Sequence, residues 1–231
     1  MQLLIVSPEP NAASFLASRL SANFACQCAS DADEAIEQLQ FAPADAIVFT
    51  AVPHPVGAVR RIRQIKIRTP IVVLNPEGLD QAIDALDAGA DDAVAFQSDP
   101  REVRARLMAC IRRSAGHSTS VVKTGELVVD LAAHKAMVNG QRVGLTGKEY
   151  GCVELLSLRK GKLVKREAFM AHLYGCADNA PDSVSLINVY LSKVRKKFRD
   201  IHGPAGKYIH SEWGGGYRLV DPVLPSPMAE E

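Results

Sequence analysis

Cations and short polar side chains recur at helical spacing between residues 183 and 199. Apolar residues of this segment fall on one stripe of a helix: Val184, Ile187, Leu191, Val194 and Phe198. The opposite face carries Ser185, Val189, Ser192, Lys193 and Lys196, with Arg195, Lys197 and Arg199 nearby. Lys and Arg neutralise phosphates, and short side chains allow close approach to base edges, where Val189 suits a thymine methyl. The segment predicts a helix in the major groove of DNA, although a solvated basic helix end also fits the pattern.

The net charge of the chain hides an uneven distribution. The 231 residues include 27 Lys+Arg and 26 Asp+Glu, a formal charge of +1. Residues 1–118 contain 11 basic and 14 acidic residues, a net charge of −3, whereas the remainder contains 16 and 12, a net charge of +4. The basic helix lies in the second part, so the near-neutral total does not exclude a nucleic-acid partner. Five Cys without CxxC spacing, and no apolar run of about 18 residues, favour a cytoplasmic protein without a membrane span.

The first part alternates short apolar runs with amphipathic segments. Residues 3–6, 46–49 and 71–74 have the continuous apolar character of strands buried on both faces. Between and after these runs the pattern predicts five helices. Four cover residues 11–23, 57–66, 79–88 and 100–114, and one more begins after a cap at Ser30. Phe15, Ile83 and Leu86 are expected among their inward residues. Alternating strands and helices predict a doubly wound, flavodoxin-like (βα)5 domain of the α/β class.

The second part has a different order of elements. A short polar segment over residues 116–120 is typical of a linker between domains of residues 1–115 and 121–221. Antiparallel strands are expected over 121–145, with Asn139-Gly140 as a two-residue turn. Helices over 148–158, 166–173 and 183–199, then a hairpin over 208–220, predict an α+β winged helix-turn-helix domain. A proline-rich tail over residues 222–231 is expected to be disordered.

Five motifs in this second part resemble the effector domain of OmpR/PhoB-type response regulators. They occupy residues 145–150, 155–161, 172–175, 189–198 and 213–219. The resemblance implies a transcription regulator whose third helix enters the major groove while the hairpin, the wing, contacts the minor groove. It also implies that Lys193 and Arg195 contact DNA and that Tyr190 contacts the DNA backbone. In the wing, Gly215 stands where some members carry an arginine, and Arg218 and Lys207 are the candidate replacements.

The same resemblance makes the first domain a receiver, and its residues lack the chemistry of a receiver. Transfer of a phosphoryl group to aspartate needs Mg²⁺, carboxylate ligands and a lysine. This chain has Ser7 and Pro8 in place of the acidic pair, and Thr50 at the acceptor position. Asn75 replaces the switch Ser/Thr, and Phe96 replaces the lysine. We therefore expect a regulator that acts independently of aspartyl phosphorylation, with no catalytic residue, no enzyme activity, no cofactor and no metal site.

Charged residues in the last strand and last helix of the receiver match positions that pair two receivers in the family. These residues are Asp91, Asp92, Glu102, Arg106 and Arg113. The resemblance pairs Asp92 with Arg106 and Asp91 with Arg113 across a homodimer, whereas the partner position of Glu102 holds Ala82. Solvated surface charge is the alternative, because exposed ion pairs contribute only about 0–1 kcal/mol each. A dimer favours repeated half-sites in double-stranded promoter DNA, either palindromic or tandem.

Two other functions remain open at this stage. A receiver without its chemistry could dock on two-component partners and antagonise them. Alternatively, the altered pocket, with Val94 and Phe96 nearby, could bind a small ligand that controls the regulator. The basic helix favours a DNA-binding transcription regulator over both.

Overall fold

The chain divides into two compact units: Met1–Ser118 makes up nearly all of the first, and the second starts at Thr119. The structure, a computed structural model, describes residues 1–21, 24–74, 78–94, 99–174, 185–203, 207–213 and 215–222. Helix α5 ends at Ser114 and strand β6 starts at Val121, and no helix or strand lies between them.

The first unit is built on a parallel sheet. Its strands are β1 (Gln2–Val6), β2 (Ala25–Ala29), β3 (Ala46–Phe49), β4 (Ile71–Leu74) and β5 (Asp92–Val94). Its helices are α1 (Pro10–Leu20), α2 (Ala32–Phe41), α3 (Pro55–Gln64), α4 (Gly78–Asp87) and α5 (Pro100–Ser114). The strand order is β2-β1-β3-β4-β5 with all pairs parallel, and α1 contacts α5 while α3 contacts both α2 and α4. This arrangement is the (βα)5 flavodoxin-like fold that the sequence predicts.

Several helix details differ from the sequence prediction. Asp31, not Ser30, caps α2, because its carboxylate accepts hydrogen bonds from the backbone N–H groups of Asp33 and Glu34. Phe15 on α1 is half-exposed instead of inward.

Helix α4 packs through a different face from the one predicted. It buries the small side chain of Ala85, whereas Leu79, Ile83 and Leu86 are exposed. At 100° per residue these three lie on one stripe, roughly a third of a turn from Ala85. The face with Leu79, Ile83 and Leu86 is thus turned to solvent in the single chain, because the small side chain of Ala85 allows α4 to pack closer to the neighbouring elements.

The described residues of the second unit form two antiparallel sheets and three helices. Strands β6 (Val121–Thr124), β7 (Leu127–Asp130), β8 (Lys135–Val138) and β9 (Gln141–Arg142) form one sheet in that order. The helices are α6 (Gly147–Leu158), α7 (Arg166–Tyr174) and α8 (Ser185–His202). Strands β10 (Val164–Lys165), β11 (Ile209–Glu212) and β12 (Gly216–Leu219) form the other sheet, in the order β10-β12-β11. This is the winged helix-turn-helix architecture that the sequence predicts.

Local sequence signals explain two of its connections. Asn139 and Gly140 both have positive φ, 51° and 75°, as the predicted two-residue turn between β8 and β9 requires. Thr146 and Glu149 form a reciprocal capping box at the start of α6. The rest of the predicted tail, residues 223–231, lies outside the described residues.

Candidate functional site

The outward face of α8 is fixed by the packing of its inward stripe. Ile187, Leu191, Val194 and Phe198 are completely buried, as the sequence predicts, while Val184 lies outside the described residues. The opposite face is exposed at Ser185, Val189, Ser192, Lys193 and Lys196, and Tyr190 is half-buried beside it. Val189 keeps 47% of its surface exposed on this otherwise polar face. The structure therefore brings six of the eight predicted DNA-contacting residues together along one side of one helix.

Arg195 is half-buried against the hairpin, whereas the resemblance implies that it contacts DNA. Its Nε donates to the carbonyl oxygen of Ile209 over 2.9 Å and its Nη2 donates to Ser211 Oγ over 3.0 Å. Its guanidinium carbon also lies 5.3 Å from the centre of the Tyr217 ring. Burial lowers the pKa of Arg195, although an arginine remains charged at neutral pH. These contacts join α8 to the hairpin of β11 and β12, so the structure gives Arg195 a bracing position.

Arg218 is likewise held within the hairpin region. Its Nε donates to Glu212 Oε1 over 3.1 Å, and its Nη1 donates to the carbonyl oxygen of Gly161 over 2.9 Å. The carboxylate of Glu212 offsets the charge of this arginine on the neighbouring strand. Arg218, one candidate replacement for the wing arginine, is therefore paired with Glu212 on the neighbouring strand. Lys207, the other candidate, is exposed just before β11.

Lys197 points away from the exposed face of α8. Its Nζ donates to the carbonyl oxygen of Gly144 over 2.7 Å and to Glu149 Oε2 over 2.6 Å. Burial of the Glu149 carboxylate opposes its ionisation, but the hydrogen bonds from Lys197 and from the backbone N–H of Thr146 hold its pKa below the ordinary value. This ion pair, buried on the Glu149 side, fastens α8 to the start of α6 and so orients the exposed face.

Arg166 and Asn188 lie where α7 and α8 meet the hairpin, and neither is among the predicted DNA-contacting residues. Asn188 Oδ1 on α8 accepts hydrogen bonds from Arg166 Nε over 3.1 Å and from the Tyr217 hydroxyl over 2.7 Å. Trp213, the single tryptophan of the chain, is fully exposed at the hairpin turn. The position of Trp213 beside a glycine run marks it in the sequence. The Asn188 contacts join residues 22 and 29 positions apart, so no local pattern indicates them.

The edge of the first unit where an acceptor aspartate would be expected holds hydroxyl groups instead. Ser7 and Thr50 are buried and follow the paired ends of β1 and β3. The Ser7 hydroxyl donates to the carbonyl oxygen of Glu9 over 3.1 Å, and Thr50 Oγ1 has no hydrogen-bond partner among the described residues. Pro8 is exposed, and Asn75 and Phe96 lie outside the described residues. Within the described part of the chain no three His, Cys, Asp or Glu side chains form a metal-binding group.

The charged residues of β5 and α5 form pairs within the single chain. Arg106 contacts Asp92 Oδ2 over 3.2 Å through Nη1 and Glu102 Oε1 over 2.8 Å through Nε. Arg113 Nη2 lies 3.2 Å from Cys110 Sγ.

Asp91 takes a partner that no sequence motif indicates. Its Oδ2 accepts hydrogen bonds from Arg63 Nη2 and from the backbone N–H of Ile71, each over 2.8 Å. In the single chain Asp91 therefore fastens α3 to the start of β4 and does not contact Arg113, the residue with which the resemblance pairs it across a dimer.

In the described parts of the chain, no helix combines the length and the apolar character needed to cross a membrane.

Comparison with known protein families and curated proteins gives consistent matches. Residues 140–219 match the family described as "Transcriptional regulatory protein, C terminal". The chain is 44% identical over 164 residues to the cell cycle response regulator CtrA of Brucella anthropi, a match that covers 71% of this chain and 69% of that protein. It is 43% identical over 169 residues to the cell cycle transcriptional regulator CtrA of Caulobacter vibrioides, covering 72% of this chain and 71% of that protein.

Solved structures of response regulators are also similar. The OmpR/PhoB homolog DrrB of Thermotoga maritima aligns with 95% of this chain and 98% of its own, at 20% identity and a TM-score of 0.42. The DNA-binding domain of CpxR from E. coli aligns with 45% of this chain and 98% of its own, at 24% identity and a TM-score of 0.38.

Proposed function

Because the chain belongs to the OmpR/PhoB-type response regulators, which are DNA-binding transcription regulators, we propose that it recognises promoter DNA through α8 without aspartyl phosphorylation. We assign residues 1–115 to an atypical receiver, 116–120 to a linker and 121–221 to the winged helix-turn-helix domain. The protein acts in the cytoplasm as a homodimer, and its role is regulatory, not enzymatic.

The main support for a DNA-binding surface on α8 is the complete burial of the opposite, apolar stripe of this helix. A helix anchored in this way cannot rotate, so Ser185, Val189, Ser192, Lys193 and Lys196 stay outward together. Lys193 and Lys196 are placed for phosphates, whereas Val189 and the two serines are short enough to approach base edges. Tyr190, at the margin of this face, is placed for the DNA backbone.

Independence from phosphorylation is supported by the chemistry of the acceptor edge. Among the described residues that follow β1 and β3, namely 7–9 and 50–54, Glu9 is the one carboxylate. A threonine hydroxyl is a weak nucleophile unless a base activates it, and Thr50 Oγ1 has no hydrogen-bond partner in the described part of the chain. The described residues at this edge therefore include neither an aspartate nucleophile nor an adequate set of carboxylate ligands for Mg²⁺.

Homodimerisation is supported by an apolar stripe on α4 next to the charged residues of β5 and α5. Leu79, Ile83 and Leu86 are exposed, and α4 and α5 both contact β5. An exposed stripe of large apolar residues bordered by charges is typical of a protein interface. In a dimer Asp92, Glu102 and Arg106 can exchange their partners within one chain for partners across the interface, and Asp91 and Arg113 lie in the same region.

Selection of bound duplexes from a random library tests the DNA-binding proposal. Wild-type protein is expected to enrich a defined site and to prefer it to a shuffled duplex, with an affinity that falls steeply as salt rises. Binding without sequence preference would contradict the proposed function.

Incubation with acetyl phosphate tests the second part of the proposal. No phosphorylation is expected, and no change in affinity for the selected duplex. Labelling that disappears in Thr50→Ala would contradict it.

A further inference from the structure

Arg166 is brought to the hairpin by strand pairing. Lys165 at the end of β10 pairs with Gly216 at the start of β12, so the next residue, Arg166, lies beside Gly215. A Cβ atom built on Gly215 would be 2.9 Å from Arg166 Nη1 and 3.7 Å from its Cζ. The guanidinium therefore occupies the space that a side chain at Gly215 would need.

Arg166 is also fixed against α8. Its Nε donates to Asn188 Oδ1 over 3.1 Å, and the same oxygen accepts a hydrogen bond from the Tyr217 hydroxyl. Among the described residues no carboxylate forms an ion pair with Arg166, whereas Arg218 on β12 is paired with Glu212. The junction of α8 and the hairpin turn thus holds a cation, and that cation comes from α7.

We propose that Arg166 binds a DNA phosphate at this junction and that Gly215 provides the space that its guanidinium needs, an inference that rests on the proposed function. With Nε directed to Asn188, the two Nη groups remain suited to the oxygens of one phosphate. The contact positions the protein on DNA and carries no sequence information, because Arg166 lies beside the exposed face of α8 and not on it. Gly215 has a φ of 94°, so a substitution there both strains the backbone and displaces Arg166.

The test measures affinity as a function of salt for two duplexes, the site selected by the wild-type protein and its shuffled version. The full chain is compared with Arg166→Gln, Arg166→Lys, Gly215→Ala and the double variant of Arg166→Gln with Gly215→Ala. Arg142→Gln is the matched control, because it removes one cation from an exposed position on β9, in the other sheet of the unit. Thermal unfolding of each variant verifies that it is folded.

Arg166→Gln is expected to weaken binding to both duplexes about five- to tenfold and to reduce the salt slope by about one. Arg166→Lys retains the slope because it retains the charge, and Arg142→Gln changes neither quantity. Gly215→Ala alone weakens DNA binding. It has less effect when combined with Arg166→Gln, because the guanidinium that it would displace is already absent.

Two results would overturn the inference. Arg166→Gln and Arg142→Gln could behave alike, which would exclude a phosphate contact. Arg166→Gln could instead lower the preference for the selected site at an unchanged salt slope, which would make Arg166 a positioning residue that acts through Asn188. If the wild-type protein shows no preference between the two duplexes, the proposed function fails before the inference is tested.

Discussion

Replacing Arg195 with alanine is expected to loosen the attachment of the hairpin to α8. Arg195 donates hydrogen bonds to the carbonyl oxygen of Ile209 and to Ser211 Oγ. Ile209 is buried, so its carbonyl loses a partner, whereas water can replace the arginine at the exposed Ser211. Loss of the charged hydrogen bond to a buried carbonyl costs about 2 kcal/mol, and loss of the contact with the Tyr217 ring adds about 0.5–1 kcal/mol.

Hydrogen–deuterium exchange of the peptides that contain α8 and β11 measures this effect within the intact chain. Arg195→Ala is expected to lower the opening free energy of both elements by about 2–3 kcal/mol. For a unit of this size that loss lowers the thermal midpoint by roughly 10–20 °C. Arg142→Ala, which removes an exposed cation from β9, is the control and is expected to change stability by less than about 0.5 kcal/mol.

The experiment separates the bracing position of Arg195 from the direct DNA contact that the resemblance implies. A bracing residue changes exchange in the free protein, where no DNA is present. If α8 and β11 exchange in Arg195→Ala as they do in the wild type, while DNA affinity falls, the bracing argument is refuted and Arg195 is a direct contact.

Three further predictions follow from exposure, charge and burial. Lys193→Ala leaves the thermal midpoint unchanged but weakens DNA binding at least about fivefold; equal loss of stability and affinity, measured by unfolding and by titration, would contradict the surface role of Lys193. Ile83→Asp is expected to convert the proposed dimer to monomer in light scattering, because dimerisation that buries isoleucine would gain about 1.5–3 kcal/mol per side chain, and an unchanged mass would exclude α4 from the proposed interface. Because the folded pKa of Glu149 is lowered, its contribution to stability is complete above the unfolded pKa and is lost as the pH falls through the folded value. The difference in unfolding free energy between the wild type and Glu149→Gln should therefore be constant near neutral pH and fall toward zero as the pH decreases below about 4.5. A difference that persists at about pH 2 would contradict this.

Local and periodic signals were sufficient to predict most of the architecture. The apolar stripe of α8 identifies its inward face because a buried helix face repeats every 3.6 residues, and Ile187, Leu191 and Phe198 are indeed completely buried. The Asn139-Gly140 turn was predictable because both positions need positive φ, which few residues tolerate. Asp99 before Pro100 likewise predicts the start of α5, where the Asp99 carboxylate accepts from the backbone N–H of Arg101.

Predictions about individual side chains depended on contacts that no local pattern contains. The periodicity of α4 shows two apolar faces, and the packing of Ala85 decided that Ile83 and Leu86 face solvent. Similarly, several arginines of the first unit could pair with Asp91 as far as the sequence shows, and only the tertiary fold brings Arg63 beside it.

The sequence by itself determined the fold of both units and the inward face of α8, and it predicts the loss of acceptor chemistry, because each depends on residue type and spacing along one segment. The tertiary structure alone decided which cations remain available to DNA. Lys193 stays exposed, Lys197 is bound to Glu149, and Arg195 is bound to the hairpin. It also decided that Arg166 fills the space beside Gly215. These outcomes depend on atoms separated by many residues, whose proximity is set by strand register and helix packing.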